Sequence, residues 1–418
     1  MYDFDSYLLY EIKKRNVYSC KIRVILKEDV KGDVLRSAAQ KAFRRFPYYA
    51  KKVELNSEGA YIFAPCDKPI TVTQGDRPIR LGSEETNGLL FAITYEGASV
   101  FFNITHSFCG GCGTMRWLKA TLWQYLTDLG HEVDRSRIMT VDDPITEEET
   151  ALPDLDSLPE NEPVGSFDFA NDAFVPRADY MEFMKDPKGG MDYYPVIIPK
   201  KELMKYARDN DGSPNSILSS LLFKMCTKTF PDEEKFMAKI ACNYRADVGC
   251  PETYRDMIRQ LIIPYSGKMR DWPVEKISTV TRSRMYAQMQ PELSCVKLRE
   301  LIAFRKAIDE QPDLEKKADY AVQHSPTLNG YNATYVISYV GNVDWGGLAP
   351  YLKGVFSITM GHIMLEVNAT NDDFCISFQT VSKDDKYVKE FTEVLDEEGI
   401  SYQVCAREHR NLPLVELP

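Results

Sequence analysis

Cys20, Ile22, Val24 and Leu26 interleave with Lys21, Arg23 and Lys27, an apolar–polar alternation that predicts a half-buried strand. The period then changes. Leu35, Ala38, Ala39, Ala42, Phe43 and Phe46 fall on one stripe at helical spacing, with Asp33 at the expected N-cap and Pro47 as a stop. Ser99 to Thr105 reads as a second strand, and a glycine-rich loop follows over Ser107 to Gly113. A helix comes next, with Met115, Leu118, Leu122, Tyr125, Leu126 and Leu129 on one face and Gly130 at its end.

The second half repeats this mixture. Val196 to Ile198, Phe236 to Cys242 and Ala333 to Tyr339 read as strands. Met364 to Val367 and Phe374 to Phe378, joined across Asn371-Asp372, read as a hairpin. Ser213-Pro214 has the form of an N-cap with proline at the first helical position. The buried stripe Ile217, Leu218, Leu221, Leu222, Met225 and Cys226 follows it. A last helix is expected after Ser382 and Asp385, with Tyr387, Val388, Phe391, Val394 and Leu395 inward and Gly399 at its end. Ile400, Tyr402 and Val404 then predict a final strand. No short repeat recurs, which argues against a solenoid or propeller.

The chain has 418 residues, enough for two to three domains or one large two-lobed unit. Between residues 142 and 176 it is acid- and proline-rich and has neither Lys nor Arg. This segment reads as a solvated linker between a lobe at 1–141 and a lobe at 177–418. The net charge of −11 argues against binding to nucleic acid or an anionic membrane surface, while leaving room for a local basic patch around a phosphorylated ligand. No run approaches the ~18 apolar residues of a membrane span. The N-terminal stretch lacks the pattern of a signal peptide. Ten scattered cysteines without an export signal fit reduced thiols, so the expected compartment is the cytoplasm.

Five histidines limit the candidates for proton transfer. His131 and His409 lie among charged residues, His324 is in an expected loop, and His362 is at the start of a strand. His106 ends an apolar strand and opens the glycine-rich turn, where a strand holds a side chain rigidly at a cleft. An imidazole there can act as a general base, although a core or turn histidine is the commoner meaning of such a context. His106, Cys109 and Cys112 form an H-x-x-C-x-x-C run, but no further Cys/His pair at useful spacing completes a zinc site, and no metal is expected. Cys109 near a helix N-terminus is either an activated thiol or, more commonly, an inert one.

Thr105-His106-Ser107-Phe108-Cys109-Gly110-Gly111 resembles the His-His-x-x-x-Asp-Gly motif of the chloramphenicol acetyltransferase-like superfamily. That superfamily includes alcohol O-acetyltransferases, plant acyltransferases and the condensation domains of peptide synthetases. Arg45-Phe46-Pro47 resembles its early R-x-P element, Asn243-Tyr244-Arg245 its N-x-R element, and Ser338-Tyr339-Val340-Gly341 its late strand end. The resemblance spans nearly the whole chain and is nearest to bacterial alcohol O-acetyltransferase-type proteins. It implies an α+β fold of two lobes, each a mixed sheet with helices, and an active-site tunnel between them. It also implies acyl transfer from acyl-CoA to an alcohol or amine, with His106 as general base, no covalent intermediate and no permanently bound cofactor. Thr105 stands where the motif has its first His. Gly110 stands where it has an Asp that pairs with an Arg and fixes the loop, and Gly111 keeps the motif glycine. Asn243, Arg245, Ser338 and Asn342 become candidates for substrate or CoA binding. Arg245 has a second reading as an inter-lobe ion pair, and Ser338 and Asn342 as the end of a strand. The glycine at 110 leaves two other functions open: an impaired relative that binds a thioester, hydrophobic ligand or protein, and a condensation enzyme fed by a carrier-protein thioester.

Overall fold

The computed structural model describes residues 6–15, 19–154, 172–177, 179, 189–325, 333–341 and 343–418. Two mixed sheets organise them. The first has five strands, ordered Leu352–Ile358, Ser19–Leu26, Ser99–Thr105, Phe91–Glu96 and Thr71–Gln74. Its inward residues, among them Ile22, Val24, Val100, Phe102 and Ile104, pack under the helices Gly32–Phe43 and Gly111–Asp128. Helix Gly32–Phe43 begins after Lys31, and Asp33 lies in its first turn. Phe46 is buried beyond its end, and Pro47 opens a short 3₁₀ turn.

The second sheet runs Ile258–Ser266, Lys235–Asn243, Tyr335–Tyr339, Met364–Ala369, Asp373–Gln379 and Gly190–Pro199, with short C-terminal strands beyond. The strand period of two sorts its faces. Phe236, Ala238, Ile240, Tyr335, Ile337, Leu365, Val367, Ile376 and Phe378 join the core beneath helices Pro214–Thr229 and Lys386–Glu397. The opposite face carries Ser338, Glu366 and Asn368 and meets the first lobe. There Asn368 Nδ2 donates to Ser357 Oγ at 3.0 Å, and Thr359 Oγ1 donates to Glu366 Oε1 at 3.0 Å. Polar residues on this inner face are what a cleft between two sheets requires, because each buried polar group needs a partner.

The sheets do not divide as the lobe limits 1–141 and 177–418 expect. Strand Leu352–Ile358 pairs antiparallel with Ser19–Leu26, and the last strand, Leu414–Val415, pairs with Arg80–Leu81. Strand periodicity reveals a strand but not the sheet it joins. The acidic segment also departs from a solvated linker. Its described part forms a 3₁₀ turn, Glu147–Thr150, whose Glu149 is buried against Arg45; residues 155–171 lie outside the described residues. His324 ends helix Leu314–His324 rather than sitting in a loop. The expected last strand shrinks to Gln403–Val404, with Ile400 in the core. All ten cysteines are free thiols. Among the described residues no helix is long and apolar enough to cross a membrane.

Candidate active site

His106 follows strand Ser99–Thr105 directly, and helix Gly111–Asp128 begins five residues later. The connecting turn is held locally. Thr105 Oγ1 and Ser107 Oγ share a hydrogen bond at 2.9 Å, and Gly110 O accepts from Thr114 N and Thr114 Oγ1, both at 3.1 Å. Phe108 is locked by edge-on contacts with Tyr49, Phe63 and Phe91. The ring of His106 keeps about a third of its surface open (35%).

The partner of His106 comes from the other lobe. Its Nδ1 lies 3.0 Å from Oδ2 of Asp256, in the loop that leads into strand Ile258–Ser266. Burial alone would push the imidazolium down. Asp256, and more weakly Glu366, outweigh it and raise the ring to about 9. Glu366 is itself pushed up to about 6, chiefly by burial, against hydrogen bonds from Ser338 and Thr359 and the charge of His106.

Three features fix the Asp256 loop. Arg245 Nε donates to Thr253 O at 2.9 Å, its Nη2 to Arg255 O, and its Nη1 to Asn243 Oδ1 at 3.1 Å. Thr253 Oγ1 donates to Ala151 O at 2.9 Å, and Tyr254 N to Glu149 O at 3.0 Å. The third feature is space. A Cβ at Gly113 would come within 2.1 Å of Tyr254 O, one at Gly110 within 2.4 Å of Asp256 Oδ1, and one at Gly111 within 3.3 Å of Val340. Gly110 has an extended backbone with negative φ, so this run is not glycine for the sake of a turn. It is glycine because segments of the second lobe press against it.

Beside this loop lies a cavity of about 310 Å³ between the lobes, walled by Cys112, Met115, Arg116 and Lys119 on one side and by Val340 and Val343 on the other. Lys119 Nζ donates to Asp344 O at 2.7 Å and Arg137 O at 3.0 Å. An ammonium has three N–H donors, and two of them are matched among the described residues.

No protein-family model and no curated protein matches the chain. Solved structures do. F. graminearum TRI101, complexed with coenzyme A and T-2 mycotoxin, has a TM-score of 0.61 at 12% identity, over 95% of this chain and 98% of that one. Polyketide synthase associated protein 5 from Mycobacterium tuberculosis has a TM-score of 0.57 at 11% identity, over 94% and 96%. The first condensation domain of the calcium-dependent antibiotic synthetase, in complex with a substrate analogue, has a TM-score of 0.55 at 12% identity, over 95% and 94%. The chain shares the fold of these three structures.

Within this fold the motif positions distribute as follows. His106 sits at the inter-lobe seam. Thr105 braces the turn from a fully buried position. Arg245 is buried and among the described residues forms no ion pair: its guanidinium donates to two carbonyls of the Asp256 loop and to Asn243 Oδ1. Asn243 caps that clamp, and its Nδ2 reaches Cys112 Sγ at 3.8 Å. Ser338 lies opposite Glu366 in adjacent strands. Asn342 lies outside the described residues. Cys109 is fully buried, its Sγ 3.2 Å from Thr114 Oγ1. Burial raises the Cys112 thiol, with Arg245 acting against it. Among the described residues no three His, Cys, Asp or Glu side chains converge as a metal would require. Neither Asp256 nor Glu366 carries an individual signal in the sequence. The usable signal was indirect: glycine at 110 removes a carboxylate from the motif and frees a volume.

Proposed function

We propose that this chain transfers an acyl group from acyl-CoA to the hydroxyl or amine of a small molecule, with His106 as general base. The observation that carries this reading is the ring of His106, open at the inter-lobe seam and tied through Nδ1 to Asp256. With Nδ1–H donated, Nε2 is the basic nitrogen. It takes the proton of the acceptor as the acceptor attacks the thioester carbonyl. The tetrahedral adduct collapses with cleavage of the C–S bond, and the imidazolium returns the proton to the departing CoA thiolate. The products are the acylated acceptor and free CoA. Holding both reactants at one seam supplies much of the acceleration. The coenzyme A in the TRI101 complex supports a CoA donor.

The test is chromatographic detection of CoA released from acetyl-CoA and longer acyl-CoAs, with a panel of alcohols and amines. Acceptor-dependent release is expected. No release with any pair would overturn the CoA-dependent reading.

The cavity edged by Arg116 and Lys119 is suited to the phosphates of the donor, in an otherwise acidic chain. Burial lowers the Lys119 ammonium and Asp344 opposes that effect; a phosphate alongside would favour the charged form further. Lys119→Ala is expected to raise KM for acyl-CoA by about 3- to 10-fold with kcat unchanged, the pattern of lost uniform binding. Steady-state kinetics at varied acyl-CoA checks this.

A further inference from the structure

We propose that Asp256 is the positioning residue of His106, reaching from the second lobe to hold Nδ1–H and thereby keep Nε2 as the basic nitrogen. The inference rests on His106 being the base. It assigns to Asp256 the volume that the motif carboxylate would need at Gly110, since a Cβ at 110 would overlap Asp256 Oδ1. The carboxylate absent at residue 110 is matched by one at residue 256, 146 residues later in the chain.

Asp256 is built for the task. Its carboxylate is mostly buried (14% exposed), and its loop is pinned by Arg245, by Thr253 to Ala151 and by Tyr254 to Glu149. Its Oδ1 is buried without a hydrogen-bond partner among the described residues, so the contact made by Oδ2 with His106 is its main anchorage there. A buried carboxylate with so few other partners strongly favours a proton-bearing nitrogen beside it. The base is therefore assembled from both lobes: the imidazole from the first, its orienting acid from the second.

The groups that bear on the titration of His106 are Asp256 from the loop before Ile258–Ser266 and Glu366 from strand Met364–Ala369. Cys112 of helix Gly111–Asp128 and Arg245 after strand Lys235–Asn243 flank Asp256. Of these only Asp256 touches Nδ1, so changing it separates orientation and charge from the rest of the site.

Asp256→Asn keeps the side-chain volume and removes the charge. The acid limb of kcat/KM, which reports the free enzyme, is expected to move down from about 9 by one pH unit or more. Its plateau is expected to fall by at least about tenfold, because a tautomer and ring angle are no longer enforced. Asp256→Glu should keep the limb near its wild-type position. A merely structural aspartate would lower the plateau and leave the limb in place, and that result overturns the proposal.

Nitrogen-15 NMR of the five histidines gives a reading independent of turnover, with His106 assigned by the signal lost in His106→Gln. The wild-type ring is expected to carry its neutral-state proton on Nδ1 and to titrate well above 6.5. A proton on Nε2, or an ordinary midpoint, overturns the pairing. The two hypotheses fail separately. An inactive wild type with the Nδ1–H signature removes the transferase reading and leaves the pair. An active enzyme whose limb ignores Asp256→Asn removes the pair and leaves the transferase.

Discussion

His106→Gln is expected to lower kcat/KM for acyl transfer by about 10²- to 10⁴-fold, the range in which a positioned general base contributes. Glutamine retains an N–H that can still face Asp256, so the fold around the turn should survive while the basic nitrogen is lost. The wild-type pH profile sharpens the expectation. A base must be neutral to take a proton, and the ring is raised to about 9 by Asp256 and Glu366 against its burial. Turnover should therefore climb about tenfold per pH unit from 6 to 8 and level off near 9. In His106→Gln that climb should vanish, leaving a low, flat rate. The same chromatographic measurement of CoA release, run across pH for both proteins, checks it. A variant within a few-fold of wild type would remove His106 from the chemistry.

A base largely protonated at neutral pH is not inconsistent with its task. The fraction of neutral imidazole is small, but what is present is a stronger base, and the imidazolium that forms is stabilised as it forms by the adjacent carboxylate. Asp256 also decides which nitrogen acts. The seam between the lobes then has a chemical role beyond enclosing substrate, because a loosened seam separates the ring from its acid.

Much of this was legible along the chain, for physical reasons. Alternation marked Ser19–Leu26 and an apolar run marked Ser99–Thr105, which is buried at every position, while helical stripes marked Gly111–Asp128, Pro214–Thr229 and Lys386–Glu397, because the striped residues pack into the cores. His106 was visible because a strand end and a glycine run bracket it. What escaped was set by contacts between distant residues. Asp256 sits in an unremarkable Arg-Asp-Met stretch, and Glu366 is a single acid within an apolar strand. Neither carries a local signature, since each owes its role to the opposite lobe. The glycines at 110, 111 and 113 suggested a tight turn, yet two of them, 110 and 113, sit where the backbone and side chains of residues 254 and 256 crowd in. Composition likewise described the average of the acidic segment and missed Glu149, the one acid among its described residues that is buried.

That acid supports the last prediction: Glu149→Ala should destabilise the protein by about 3–5 kcal/mol, because it leaves a buried guanidinium without its partner. Arg45 and Glu149 have side chains 2% and 1% exposed, and they join through Nη1 to Oε2 at 3.0 Å and Nη2 to Oε1 at 2.7 Å. Tyr48 Oη donates to the same carboxylate at 2.5 Å, and Thr146 N at 3.0 Å. Burial would raise Glu149, but the hydrogen bonds from Arg45 and Tyr48 hold it below the ordinary glutamate value. For a depressed acid the stabilisation is complete above the unfolded value and is lost as pH falls through the folded one. The difference between wild type and Glu149→Ala should therefore be full at pH 7 and narrow below the usual glutamate range. Replacing both partners, as in Arg45→Met with Glu149→Leu, should recover much of the loss, since no charge is then stranded. Urea unfolding followed by tryptophan fluorescence at pH 7 and pH 4 measures all three proteins. The consequence reaches the site, because Glu149 O also receives Tyr254 N, two residues before Asp256. A loss of activity in Glu149→Ala under conditions where it remains folded would show that the crossover segment holds the orienting acid against His106. Unchanged stability at pH 7 would mean that the buried pair does not anchor the segment at all.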